Sequence, residues 1–199
     1  MIFILNIMRI EKINNSSFKA IPLNKTNVGK LVKDCYPLYE HSSASFVKIE
    51  PFNEQDIKAL KDTAKYWQYG NLATNIYYAA CAVKNGSKYY KGHDVYALTT
   101  QNSNFENLDS GKILGLVHTS IEKDGSLFIE QLQKNPQYLL AREVDYKGIG
   151  TGILDSLKLL YNKISCFPSG QDYVKNFYSK NAFYKQPDIL NLYTWERTI

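Results

Sequence analysis

The sequence has little of what usually announces a function. Its three cysteines, Cys35, Cys81 and Cys166, are far apart, odd in number and without C-x-x-C pairing, which excludes a disulfide scaffold and fits a reducing compartment. They read as small buried apolar residues. His41, His93 and His118 make no H-x-x-x-H pattern and no His/Cys cluster, so no metal is expected. No stretch approaches the roughly 20 apolar residues of a membrane-spanning helix, so no membrane partner is expected. The N-terminal run Met1 to Met8 is apolar but short, with no basic residue before it and no small-residue cleavage site. It reads as an ordered strand, or as an extension upstream of a start at Met8, and the expected location is the cytoplasm.

Aromatic residues are plentiful, with 16 Tyr and 9 Phe, and the charged share is an ordinary 22%, so the chain should fold rather than stay disordered. At 199 residues it suits one α/β or α+β domain, or a domain with an added helical part, with a substantial core. The net charge of +5 is compatible with anionic ligands, a phosphorylated cofactor among them. Its lysines (Lys30, Lys33, Lys58, Lys61, Lys65, Lys88, Lys91, Lys147, Lys158) are spread out, which favours a solvated surface over a nucleic-acid patch.

Along the chain, Phe18 to Leu23 reads as a short strand. Thr26 or Asn27 then opens a helical pattern with Val28, Leu31, Val32 and Cys35 on one face, stopped by Pro37. A second helix is signalled by Asn53 as cap, Asp56 in the first turn, and Ile57, Leu60, Ala64 and Trp67 at helical spacing. The alanines of the run Asn75 to Val83 favour a third helix over a strand, and Lys84 to Asp94 reads as a loop. Strands follow at Asp94 to Thr100, at Lys112 to Glu122 with Ile113, Val117 and Ile121 on one face, and, after a Lys123-Asp124-Gly125 hairpin turn, at Ser126 to Gln133. Ile149, Ile153, Leu154, Leu157, Leu160 and Tyr161 mark the buried face of a helix ending near Lys163. A strand at Ile164 to Phe167 completes a β-α-β unit whose strands should be parallel. Asp172 then caps a short helix carrying Val174, Phe177 and Tyr178, and the last strands are Phe183 to Lys185 and Leu190 to Glu196. The order gives an α+β fold with one mixed, mostly antiparallel central sheet flanked by helices, preceded by an N-terminal helical region.

The richest stretch is Tyr146-Lys147-Gly148-Ile149-Gly150-Thr151-Gly152. Glycines at 148, 150 and 152 let backbone N–H groups approach a ligand, and the start of the following helix offers unpaired donors and a positive dipole end, which suit phosphate. Glycines at a helix start also serve plain close packing, and spacing alone leaves both readings open.

Three matches, in order and at the right spacing, make Leu127 to Tyr184 resemble the acetyl-CoA-binding half of the GCN5-related N-acetyltransferases, the GNAT superfamily. Gly148-Ile149-Gly150-Thr151-Gly152 resembles the pyrophosphate loop. Ile129-Glu130 to Pro136 resembles the strand before it. Asn176-Phe177-Tyr178-Ser179-Lys180-Asn181-Ala182-Phe183 resembles the F-Y-x-x-x-G-F signature. Two departures stand out: Asp145 occupies the place of the family's Gln or Arg, and Asn181-Ala182 replaces the common Leu-Gly before Phe183.

The resemblance implies a single GNAT-like domain over 1–199, with 1–92 supplying N-terminal helices and the acceptor side and 93–199 the acetyl-CoA-binding core. It implies acetyl transfer from acetyl-CoA to a primary amine by direct attack, without metal. Glu130 is the candidate base and Tyr178 the candidate acid for the CoA thiolate, with Tyr184 as substitute. Leu132 and Gln133 would meet the acetyl and pantetheine parts, and Lys147, Gly148, Ile149, Gly150, Thr151 and Gly152 the pyrophosphate. Asn176 would touch the CoA chain. The acceptor is a small-molecule or peptide amine, with Tyr36, Tyr39, Trp67, Tyr69 and Tyr77 as candidate wall residues. A silent acyl-CoA-binding module and an enzyme acting on a nucleic-acid-linked amine, such as charged tRNA, are the alternatives, and a homodimer is left open.

Overall fold

A computed structural model describes residues 19–32, 38–67, 72–137 and 145–198. The readings made at Met1 to Met8, Phe18, Cys35, Tyr36 and Tyr69 lie outside them. The first finding is a correction. Instead of a helix from Thr26, strand β1 (Ile21–Leu31) runs antiparallel to β2 (Tyr39–Lys48), paired from Ile21↔Lys48 to Leu31↔Tyr39 with one register shift between Pro22 and Asn24. Of the described apolar residues that suggested a helix face, Val28, Leu31 and Val32, only Val28 is buried. The burial instead alternates through Asn24, Thr26 and Val28, the period of a strand, and Asn24, Asn27 and Gly29 are poor helix formers.

The helices read at Asn53 and at the alanine run are present as α1 (Glu54–Tyr66) and α2 (Leu72–Lys84). The Asn53 side chain accepts from the Gln55 N–H at 2.9 Å, and Ile57, Leu60, Ala64 and Trp67 are buried. After a single 3-10 turn at Lys88–Tyr90 come β3 (His93–Thr99), β4 (Ile113–Ile121) and β5 (Leu127–Lys134). The β4–β5 turn has Gly125 at φ 80°, as a tight hairpin needs. The chain continues through β6 (Tyr146–Lys147), α3 (Ile149–Leu160), β7 (Lys163–Cys166), α4 (Asp172–Lys180), β8 (Tyr184–Lys185) and β9 (Tyr193–Glu196). Gln171, not Asp172, holds the cap position of α4, and it makes no side-chain cap bond.

Among the described residues nine strands form one sheet, ordered β6-β1-β2-β3-β4-β5-β7-β9-β8. All neighbours are antiparallel except β5 and β7, joined by the α3 crossover. The α+β class with a mixed, mostly antiparallel sheet between helices is therefore borne out. None of the described helices is long and apolar enough to cross a membrane.

Each sheet face has its own core. On one, Val47, Val95, Ala97, Ile113 and Leu116 pack with α1 and α2. On the other, Val28, Phe46, Leu98, Leu114 and Val117 pack with α3 and with Tyr178 of α4. Ile113 and Val117 thus face opposite ways, against the expected alternation, because the β3–β4 register shifts between Leu98 and Thr99 and one inserted residue reverses the parity of the strand. Gly115 lies under the first turn of α3. A Cβ there would come within 2.7 Å of Ile153 Cδ1 and 2.9 Å of Ile149 Cγ2, so the missing side chain lets the helix start press onto the sheet.

Asp56 ties α1 to the sheet. It is fully buried and accepts from the Glu50 N–H at 2.9 Å and from Asn53 Nδ2 at 3.3 Å. Burial raises its pKa to about 6, with Glu50 adding repulsion, while hydrogen bonds from the Glu50 and Ala20 backbones pull the other way. The native state therefore holds a proton that the unfolded chain has released, and this contribution favours folding at pH 4 and is lost as pH rises to about 6. We expect the difference in unfolding free energy between wild type and Asp56→Asn to tilt by at most about 3 kcal/mol between pH 4 and 7, the wild type losing ground as pH rises. Urea melts across that range measure it, and a flat difference would show that the backbone bonds fully offset burial.

Candidate active site

Strands β5 and β7 are paired at only three places, Leu127↔Ile164, Phe128↔Ser165 and Ile129↔Cys166. There β7 ends, while β5 runs on to Lys134 alongside β4 alone. The Asn135 N–H bonds the Leu114 carbonyl of β4 at 2.8 Å. Hydrogen-bonding direction alternates along a strand, so the peptide groups of Leu132 and Lys134 turn toward the gap. The Leu132 side chain packs on the α3 face, while Gln133 is buried opposite Leu116 on the α1/α2 face.

The glycine turn lies at the head of α3. Gly148 takes the left-handed conformation at φ 78° as N-cap, and the first helical bond runs from the Gly152 N–H to the Gly148 carbonyl at 2.8 Å. The N–H groups of Ile149, Gly150 and Thr151 consequently have no acceptor within the helix. Gly148 and Thr151 are exposed. The other two glycines serve packing: a Cβ on Gly150 would lie 2.8 Å from Phe177 Cζ, and one on Gly152 3.1 Å from Thr26 Cγ2. The Asp145 carbonyl accepts from the Leu31 N–H at 2.9 Å, which anchors the turn to β1. Lys147 sets its ammonium over the Tyr39 ring, 3.9 Å from the centroid, a cation–π contact.

Glu130 stands on a β-bulge. His118 pairs with Gln131 and Thr119 with Ile129, which leaves Glu130 as the extra residue. Its carboxylate is exposed and accepts from Ser120 Oγ at 2.7 Å, which places it on the α1/α2 face. Beside Ser120 on that face, His118 Nε2 lies 2.8 Å from His93 Nδ1, with the Tyr90 ring 4.9 Å from that of His93. Burial lowers the His118 pKa to about 4, with His93 adding to the effect and Glu130 opposing it, so the imidazole is neutral at pH 7. Sequence reading found no histidine cluster. The two residues are 25 positions apart and meet only through the β3–β4 register, in which His93 faces Ser120 and Val95 faces His118.

Tyr178 is buried on the α3 face, its ring edge-on to Phe177 at 5.1 Å and to Phe183 at 5.3 Å. Its hydroxyl pairs with the thiol of Cys166, the last paired residue of β7, so the phenol sits where the strands part. Burial and the neighbouring thiol hold its pKa well above the ordinary value, and it stays protonated at neutral pH. Burial pushes the Cys166 thiol up to about 12 against the Tyr178 hydrogen bond, so Cys166 is no nucleophile. Asn176 is exposed on α4, and Tyr184 is exposed on β8. Of the candidate wall residues, Trp67 is core, Tyr77 is half-buried against the same core, and Tyr39 lies beneath Lys147. Among the described residues no group of three or more His, Cys, Asp or Glu side chains is arranged to hold a metal.

No family model and no curated protein matches the sequence. Solved structures do resemble it. A putative acetyltransferase from Exiguobacterium sp. 255-15 is 16% identical, over 77% of this chain and 93% of that one, with a TM-score of 0.47. The Campylobacter jejuni N-acetyltransferase PseH, solved in complex with acetyl coenzyme A, is 12% identical over 78% and 99%, with a TM-score of 0.46. A GNAT-family acetyltransferase from Staphylococcus aureus Mu50 is 12% identical over 77% and 98%, with a TM-score of 0.45.

Proposed function

We propose that the protein is an acetyl-CoA-dependent N-acetyltransferase of the GNAT type, transferring the acetyl group to a primary amine on a small molecule or peptide by direct attack. The observation that carries this reading is the parting of β5 from β7 beyond Ile129 and Cys166, with the unpaired amides at the head of α3 on one flank and Tyr178 at the apex. A pantetheine arm laid in the gap would meet the Leu132 and Lys134 peptide groups as a further strand would. Its pyrophosphate would lie on the N–H groups of Ile149, Gly150 and Thr151, and Asn176 would border the CoA chain. The acceptor side would be drawn from 1–92 and the cofactor side from 93–199.

The chemistry then divides between the sheet faces. The amine nitrogen attacks the thioester carbonyl carbon from the α1/α2 face, where the Glu130 carboxylate, alone or through water, takes the ammonium proton. The carbonyl oxygen, negative in the intermediate, accepts from backbone N–H groups of β5. As the C–S bond breaks, the electron pair stays on sulfur, and the Tyr178 hydroxyl on the opposite face supplies the proton that makes free CoA. A silent acyl-CoA-binding module, the reading that Asp145 favours, predicts CoA binding without turnover.

Two outcomes test the reading. Thr151→Glu places a carboxylate in the exposed first turn of α3, where it should raise the stability of the free protein by about 0.3–1 kcal/mol while repelling the pyrophosphate. We expect an unchanged or higher melting temperature and CoA affinity lowered by about tenfold or more; wild type that fails to bind millimolar CoA would sink the cofactor assignment. Tyr178→Phe should leave CoA affinity intact and cut thiol release, followed with a panel of amines, by about a hundredfold. An equal rate would remove Tyr178 from the acid role.

A further inference from the structure

Resting on the acetyl-transfer reading above, we infer that Ser120, His93 and His118 form a proton path behind Glu130, in which His93 carries the proton away to solvent and His118 holds the His93 ring. All three act through the base, so they are positioning residues.

Three neighbouring strands bring the set together on the α1/α2 face. Ser120 Oγ of β4 donates to the Glu130 carboxylate of β5 at 2.7 Å. His93 of β3 is paired directly with Ser120, which puts their Cβ atoms about 4.5–5.5 Å apart on one face, a span that two side chains or one water closes. His118, two residues before Ser120 on β4, has its Nε2 2.8 Å from His93 Nδ1, so His93 Nε2 is the nitrogen left for exchange. His118 and Ser120 are buried and His93 is half-buried, so the set runs from the interior to the surface.

One proton lies between the two rings, which makes one the donor and the other the acceptor. Burial, with repulsion from His93, lowers the His118 pKa to about 4 against the pull of Glu130. His118 stays neutral, and an added proton on the pair rests on His93. The His93 imidazolium gives its Nδ1–H to the His118 lone pair, and that bond fixes which nitrogen exchanges. The charges acting on His118 are those of His93 and Glu130. The other titratable groups turned to this place are Tyr90, whose ring lies against both histidines, and Tyr77 and Cys81 of α2, packed partly buried on the same core.

The path answers a need of the proposed reaction. Glu130 is exposed in the free protein, but an acceptor amine seated against its carboxylate would cover it, and the proton it takes has to leave before the next turnover. It passes to Ser120 Oγ as the hydroxyl proton passes to His93 Nε2, and the imidazolium then releases a proton to water. Carboxylate, hydroxyl and neutral imidazole are all restored.

The test measures acetyl-CoA turnover with a panel of primary amines for wild type, His93→Gln, Ser120→Ala and the double variant, with CoA affinity as the check on folding. We expect each single change to lower kcat by about tenfold, short of the roughly hundredfold or more of losing an acid or base itself, with the KM for acetyl-CoA level. The double variant should fall no further than either single one, since both break the same path. Imidazole buffer, a diffusible proton carrier, should restore His93→Gln and leave wild type unchanged. Equal rates, additive losses, or a loss that imidazole does not restore would overturn the path, the last outcome marking a packing role. In protein labelled with nitrogen-15 histidine, we expect a bridging proton bonded to His93 Nδ1 and a neutral His118 at pH 6; a charged His118, or no bridging proton, overturns the path as well. Wild type that binds CoA but acetylates no amine refutes the transfer reading itself, a result separable from the others.

Discussion

Among the described strands, β5 beyond Ile129 has a hydrogen-bonded neighbour on one side only, and much of the molecule is arranged around that asymmetry. Alternation along β5 turns the peptide groups of Leu132 and Lys134 toward the gap that the end of β7 leaves. Two local features open it. The bulge at Glu130 bends β5 and turns its carboxylate to one face, and β7 stops at Cys166. The short antiparallel pairing of β7 with β9 keeps the far wall in place.

The two faces of the gap differ in chemistry. On the α1/α2 side lie Glu130, Ser120 and the His118–His93 pair, of which burial keeps His118 neutral at pH 7. The α3 side holds the helix head with its unpaired N–H groups and the protonated Tyr178 phenol. In the proposed reaction a carbonyl carbon held between them would be approached by the nucleophile from one side while its leaving group departed on the other. The sheet itself keeps the Glu130 carboxylate and the Tyr178 phenol on opposite faces.

The C-terminal half was legible because its signals are local. The Lys123-Asp124-Gly125 hairpin, the glycine-headed helix and the parallel crossover each follow from a few adjacent residues, and α1 and α2 follow from capping and periodicity. The N-terminal hairpin was not. Ser42, Ser43 and Ser45 resemble a loop, and the helical spacing of Val28, Leu31 and Val32 was coincidental, Val28 and Leu31 being held in a strand by pairing with Ser42 and Tyr39 of β2. Bulges were invisible too, and they matter most at the site: the inserted residues near Leu114 and at Glu130 reverse side-chain parity. Which face Glu130, Leu132 or Lys134 occupies therefore could not be read by alternation. The motif put Tyr178 on a short helix, where the structure also has it, but its pairing with Cys166 depends on where β7 stops.

The glycine turn shows why one motif can satisfy two readings. Gly148 is required by its left-handed backbone, whereas Gly150 and Gly152 are required by Phe177, Thr26 and Leu98 crowding their Cα atoms. Those contacts are what packing alone would demand, and they also clamp the first turn of α3 between α4 and the sheet, with Gly115 admitting Ile149 and Ile153 from below. A helix end free to fray would have to be ordered at the moment of binding, and that ordering opposes affinity. Held from both sides, the amides of Ile149 to Thr151 are already aligned before any anion arrives. Close packing and the proposed phosphate recognition would therefore be one arrangement: the glycines that let the helix seat tightly are what keep its unpaired N–H groups in place.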